Sequence, residues 1–214
     1  MKTKKRRIRV LPVILGILGA LAALTLAAVL TLLLGDWGFA REVSPREKEA
    51  RLLVVQTAES WLGSNEADGS HQAIIDLYNG HRPLAQGYEV QYDDDWCSTF
   101  ASAVAIQCAL TQYIPTECGC QRHIGRFDAM DSWVEADDYV PLPGDYIFYC
   151  WSDTGIGDCT GWANHVGIVV GKLGPFLKII EGNKDDRVEY RIILLNGPCI
   201  RGYGVPAYPT DPAA

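Results

Sequence analysis

Val10 to Leu34 is a run of 25 residues without a charged side chain, and it follows six basic side chains (Lys2, Lys4, Lys5, Arg6, Arg7 and Arg9). About 20 apolar residues carry a helix across a bilayer, whereas a cleavable secretory signal has an apolar region of only about 7–15. The run therefore predicts a retained transmembrane anchor over 10–34. Residues 1–9 form a cytoplasmic basic segment, and everything after Gly35 faces outward, because basic residues stay on the cytoplasmic side. The alternative is cleavage after Ala40, which leaves the rest secreted.

The pattern then changes to that of a folded domain. Ser-Pro-Arg-Glu at 44–47 places a capping residue, a proline at the first helical position and a glutamate three after the cap. The helix it starts keeps Leu52, Leu53, Val55, Ala58, Trp61 and Leu62 roughly on one face and ends at Gly63. A second short helix fits Ser70 to Asn79. Asp95 to Leu110 is rich in alanine, with Phe100, Val104, Ala105 and Cys108 at helical spacing, and reads as a buried helix. Gln121 to Trp133 is moderately helical. From the PLPG turn at 141–144 the period shifts to that of strands: 145–151, 165–171, 176–182, 187–194 and a last short one near 200–203. Helices first and a meander of strands afterwards predict an α+β domain. On this reading the chain divides into 1–9, the anchor 10–34, a linker 35–49, a domain 50–209 and a tail 210–214.

Composition narrows the partners. Beyond residue 40 the chain holds 13 basic against 25 acidic residues, a net charge of −12, which excludes nucleic acid as an expected partner. A domain this acidic is repelled by an anionic surface unless cations screen it, which favours calcium to a small degree. Seven cysteines (97, 108, 118, 120, 150, 159 and 199) could leave one unpaired outside the membrane. Cys150 with Cys159, and Cys108 with Cys118 or Cys120, are the local pairings to expect. Cys118, Cys120 and His123 put three ligands within six residues, but with no fourth they make a poor zinc pattern.

The chemistry centres on YDDDWCSTFASAV at 92–104. A cysteine in the first turn of a helix meets the positive end of the macrodipole and unpaired N–H groups, which favour its thiolate. Cys97 is therefore the candidate nucleophile. Of the four histidines, only His165 lies in a strand bounded by small residues, with His165, Gly167 and Val169 on one face and room beside the imidazole. Glu181 and Asn183, two apart on the next strand, are the acid and the amide able to hold the other ring nitrogen. Asp94 or Asp95 caps the helix, and Asp93 with Asp95 could share a face offering oxygen ligands to calcium. Trp96, Trp151 and Trp162 flank these elements, either lining a substrate groove or packing the core.

DDWCSTFASAV, PLPGDYIFYCW, NHVGIVVG, IIEGNKDDRV and IRGYGVP, in this order, resemble the CHAP family: cysteine, histidine-dependent amidohydrolases and peptidases of the papain-like and NlpC-like superfamily. The resemblance covers roughly residues 50–209. It implies a papain-like fold with helices packed on an antiparallel sheet, and hydrolysis of amide bonds in bacterial cell-wall peptidoglycan without a required cofactor. By position it implies Cys97 as nucleophile, His165 as base, Glu181 as orienting acid and Asn183 as an additional polar residue. Gln91, six residues before Cys97, has the spacing of a papain-like oxyanion donor. The expectation is a single-pass membrane protein with an outward-facing amidase or endopeptidase domain. The other reading is a catalytically inactive binding module of a cell-envelope or conjugation assembly. Oligomeric state is not legible.

Overall fold

The computed structural model describes residues 10–152 and 159–211. It divides into two units, Met1–Asp36 and Trp37–Ala214. In the first, helix α1 (Val10–Leu34) contains a 19-residue stretch, Ile14–Leu32, long and apolar enough to cross a membrane. Leu15, Leu18 and Leu24 are exposed along it. Its polar groups are met internally, as a bilayer demands: the hydroxyls of Thr25 and Thr31 donate to the carbonyls of Leu21 and Ala27 (2.9 Å each).

The second unit starts earlier than the expected domain. Gly38 pairs with Lys172: the Lys172 N–H donates to the Gly38 carbonyl (3.1 Å) and the Gly38 N–H to the Lys172 carbonyl (3.3 Å). The stretch expected as a linker at 35–49 is thus partly a piece of the folded unit. It also holds the start of α2 (Pro45–Glu59), where the Ser44 hydroxyl accepts from the Glu47 N–H (3.2 Å) as the capping signature predicts. Helix α2 buries Ala50, Arg51, Val54, Val55 and Ala58. Helix α3 (Gln72–Gly80) buries Ile74, Ile75 and Tyr78.

Helix α4 (Cys97–Gln107) is buried over its whole span from Cys97 to Ala105. It is small-residue-rich because it packs against neighbours on all sides and has no solvent face. Phe100 shows how tight this is: a Cβ on Gly182 would lie 2.4 Å from the Phe100 Cβ. Helix α5 (Cys120–Asp128) follows. The helical region expected to reach Trp133 stops at Asp128, and Trp133–Val134 forms β1. Two residues are too few for strand periodicity to show, and Asp131 turns the chain with a positive φ of 52°.

The remaining strands fall close to their expected ranges: β2 (Tyr146–Tyr149), β3 (His165–Leu173), β4 (Phe176–Lys184), β5 (Arg187–Leu194) and β6 (Ile200–Gly204). Among the described residues they form one six-stranded sheet in the order β1-β6-β2-β3-β4-β5, antiparallel throughout. The meander therefore holds for β2 to β5, while β6 returns to lie beside β2. The result is helices on an antiparallel sheet.

A buried ion pair fastens α2 to the turn before β2. Arg51 Nη1 donates to Asp145 Oδ1 (2.7 Å) with both side chains almost fully enclosed. The Tyr139 hydroxyl (2.7 Å) and Leu142 N–H (2.8 Å) donate to Asp145 Oδ2. Arg51 also donates from Nε to Glu47 Oε1 (2.8 Å) and from Nη1 to the Pro143 carbonyl (3.1 Å). Both Asp145 oxygens and the Arg51 Nε and Nη1 are thereby met, as a buried ion pair requires.

Candidate active site

Cys97 is the first residue of α4. Trp96 occupies the cap position without a side-chain cap, so no side chain takes the first-turn N–H donors. The aspartates are placed otherwise than expected. Asp94 Oδ2 accepts from the Gln91 N–H (2.7 Å) and the Tyr88 hydroxyl (2.8 Å), folding the approach loop on itself. Asp95 Oδ1 accepts from Asn183 Nδ2 (3.3 Å), and Asp93 is exposed. Neither Asp94 nor Asp95 caps α4: the turn at 91–94 commits the Asp94 carboxylate to Gln91 and Tyr88 upstream of the helix, and Asp95 meets Asn183 of β4. The helix start is left open to a negative charge on sulfur or on a substrate oxygen.

His165 opens β3 and faces Glu181 of β4: its Nε2 lies 3.0 Å from Glu181 Oε2. Gly167 makes this possible. A Cβ there would come 2.8 Å from Glu181 Cγ and 2.5 Å from Ile179 Cγ2, so only glycine lets the glutamate pass to the imidazole. Arg191 of β5 completes the array, its Nε–H shared between both Glu181 oxygens at 2.8 Å. The guanidinium lies over the Trp151 ring, 4.7 Å from its centroid. Trp151 stacks in turn on Tyr149 at 4.6 Å, and Tyr149 on His165 at 5.9 Å.

The electrostatics follow from these contacts. The Cys120 thiol donates to Cys97 and is the largest influence lowering its pKa; burial opposes it, and His165 and the Ser98 N–H add to it, bringing Cys97 down to about 5. Burial pushes His165 down, but bonds and charges from Cys97 and Glu181 outweigh it and lift the imidazole to about 9. Burial pushes Glu181 up; bonds from His165 and Arg191 more than offset this and hold the carboxyl below its ordinary value. Around neutral pH the array is thiolate, imidazolium, carboxylate and guanidinium in sequence.

Of the residues expected at the site, His165 and Glu181 are hydrogen-bonded, Cys97 and His165 act on each other's ionisation through a side-chain bond and charge, and two lie outside. Asn183 does not share Glu181's direction, because a bulge between Glu181 and Lys184 breaks the alternation and gives Asn183 a positive φ of 54°. Its amide serves Asp95 instead of His165. Gln91 is exposed, and its amide donates to the Glu89 carbonyl (2.7 Å). Arg191 and Cys120 were not anticipated. An arginine on an outer strand reads as a solvated charge, and Cys120 read as half of a disulfide.

The expected staples are absent. Cys108 Sγ faces Thr57 Oγ1 (3.2 Å) on α2, Cys118 Sγ faces Glu117, and Cys150 Sγ lies 3.4 Å from Ser152 Oγ; all three are thiols. His123 is not a metal ligand: its ring nitrogens meet Ser98 Oγ (2.9 Å) and the Pro115 carbonyl (2.8 Å) in the core. No group of three or more His, Cys, Asp or Glu side chains able to hold a metal occurs among the described residues, so calcium at Asp93 and Asp95 would need oxygen ligands of other kinds. Trp96 is a core residue, fully buried, with its Nε1–H on Glu66 Oε1 (2.9 Å). Trp151 and Trp162 are exposed, and Trp162 lines a cavity of about 390 Å³ with Gln86, Tyr88, Cys118, Cys120 and Gln121.

No family model matches the chain, and no curated protein matches it. Among solved structures, the chain is similar to an NlpC/P60 family protein from Bacillus cereus ATCC 10987, at 16% sequence identity and a TM-score of 0.41. The alignment covers 75% of this chain and 40% of that one, so this chain spans less than half of that protein's length.

Proposed function

We propose that the unit from Trp37 onward is a CHAP-type cysteine hydrolase of the papain-like superfamily that cuts amide bonds in peptidoglycan, held at the outer face of the cell membrane by α1. The observation that carries the chemistry is the single array in which Cys97, His165 and Glu181 meet. The five motifs that resemble the CHAP family carry the substrate class, and the basic residues before α1 carry the orientation. The Cys97 sulfur, its proton already on His165, attacks the scissile carbonyl. The first-turn N–H groups of α4, that of Cys97 foremost, stabilise the oxyanion. Imidazolium then protonates the leaving nitrogen, and water activated by His165 hydrolyses the thioester. Glu181, clamped by Arg191, fixes the ring tautomer so that the nitrogen facing sulfur is the one that exchanges its proton. Asn183 acts at one remove, tying Asp95 of the approach loop to β4. No cofactor takes part in these steps, and calcium at Asp93 and Asp95 would act on the approach loop alone.

The full chain incubated with purified peptidoglycan is expected to release soluble fragments identifiable by mass. The rate should rise as Cys97 ionises near pH 5, hold level, and fall as His165 loses its proton near pH 9. No release at any pH between these limits, with wall fragments bound but uncut, would replace this reading by that of a binding module. Fragments joined instead of freed would show acyl transfer through the same thioester.

Glu181→Gln is expected to lower the rate by about 10²–10⁴-fold. It should also move the alkaline limb to lower pH, because the imidazolium loses a negative neighbour. An unshifted limb would remove Glu181 from the mechanism.

A further inference from the structure

We propose that Cys97 and Cys120 form an oxidative modification site, at which a peroxide converts the two thiols into a reversible disulfide that switches the hydrolase off. This rests on the nucleophile reading of Cys97 given above.

The two sulfurs stand 3.4 Å apart, both buried, each on the first residue of a helix. A disulfide needs about 2.0 Å, so a small approach closes it. The segment carrying Cys120 is fastened onto α4. The hydroxyls of Ser98 (3.0 Å) and Ser102 (2.7 Å) both donate to the Glu117 carbonyl, the Glu117 N–H donates to Ser102 Oγ (2.8 Å), and Ser98 Oγ meets the His123 ring (2.9 Å). Ser98 thus links the first turns of α4 and α5. Gly119, extended just before Cys120, leaves room for the adjustment: the nearest neighbour to a Cβ there would be Arg122 Cδ at 4.0 Å. The cavity lined by Cys120, Gln121 and Trp162 reaches the Cys120 side of the pair, and Cys97 keeps 6% of its own surface exposed.

The charge distribution sets the order of events. Cys97 is the thiolate, while its bond to Cys97, burial and the charges of Cys97 and Asp95 keep Cys120 a thiol. The Cys97 thiolate attacks one peroxide oxygen, the O–O bond breaks, and the departing hydroxide takes the proton held by His165 and leaves as water. Cys97 is then a sulfenic acid. The Cys120 sulfur attacks the Cys97 sulfur, the S–O bond breaks, and the departing hydroxide takes the Cys120 proton as a second water. Two thiols and one peroxide become one disulfide and two waters. With its sulfur bonded, Cys97 attacks no carbonyl, and it is shielded from irreversible oxidation. A dithiol reverses the bond by two exchange steps and is itself oxidised to a disulfide.

The test treats the full chain with hydrogen peroxide, alkylates with iodoacetamide, and maps the peptides by mass, with peptidoglycan turnover measured in parallel before and after dithiothreitol. The expected result is one cross-linked Cys97–Cys120 peptide, with a loss of turnover of at least about tenfold that dithiothreitol restores. Cys120→Ser keeps a hydroxyl donor beside Cys97. It should cut peptidoglycan more slowly than the wild-type chain before oxidation, because Cys120 helps to ionise Cys97, and lose the remaining activity to peroxide beyond rescue by dithiothreitol. Cys97 recovered as sulfinic or sulfonic acid in the wild-type chain, with Cys120 alkylated, overturns the switch and leaves the nucleophile reading standing. Reduced Cys97 that resists iodoacetamide in a chain that cuts no peptidoglycan overturns that reading, and the switch with it.

Discussion

Cys97→Ala is expected to lower release of fragments from peptidoglycan by about 10⁴-fold or more, since removing a nucleophile that acts as one unit with its base removes nearly all of the unit's effect. The sulfur cannot be replaced by a neighbour. Cys120 is the nearest thiol, but it stays protonated. The substitution should leave the fold in place. Alanine loses one buried sulfur, at a cost of about 1 kcal/mol, and α4 keeps its packing through Phe100, Ala101 and Val104, all fully buried. His165 should respond in a measurable way. Without the thiolate its pKa falls from about 9, because Cys97 supplies two of the contributions that raise it. Imidazole titration by NMR reads this directly. Retained turnover in a folded Cys97→Ala chain would end the proposal of a cysteine hydrolase.

The largest effect on stability is expected at Asp145. Asp145→Ala should cost about 3–5 kcal/mol, the range found when one member of a buried pair is removed and its partner charge stays enclosed. Arg51 would keep Glu47 and the Pro143 carbonyl but lose its strongest partner, and the Tyr139 hydroxyl and Leu142 N–H would lose their acceptor. That is a large share of a typical domain's stability of about 5–15 kcal/mol. The loss also reaches the site, because Asp145 immediately precedes β2, and β2 pairs Tyr149 with His165. Urea unfolding followed by tryptophan fluorescence measures the change. The double variant Arg51→Met, Asp145→Leu should recover part of the loss, since no enclosed charge then lacks a counterion. A single-variant cost below about 1 kcal/mol would show the cluster to be solvated and the fastening role wrong.

Most elements were legible in the sequence because caps, turn residues and runs of like residue type leave local marks along the chain. Ser44, Pro45 and Glu47 announced α2; the small apolar run announced α4; the β-branched and aromatic runs from Tyr146 onward announced the strands. Cys97, His165 and Glu181 were legible for a related reason. Each stands at a recognisable local position: a helix start, or a strand beside a glycine. Asn183 misled because alternation assumes an unbroken strand, and the bulge after Glu181 is not written in residue types. Gln91 misled because spacing alone ignores the turn that Asp94 ties. The aspartates misled because the cap expected from Asp94 or Asp95 is not made: Trp96 stands at the cap position without a side-chain bond, and both carboxylates have other partners.

What the amino-acid order determined by itself was local: the long apolar helix at the start, the helices and strands of the second unit, and the candidate sulfur and imidazole. What only the tertiary structure decided was which distant groups share a space. Strand pairing brought Arg191 to Glu181, a returning strand placed β6 beside β2, and the docking of α5 set one thiol against another. The physical reason is that hydrophobic periodicity specifies which face of an element is buried, while the register between elements is set by packing across the whole core, where a bulge or a missing Cβ redirects a side chain.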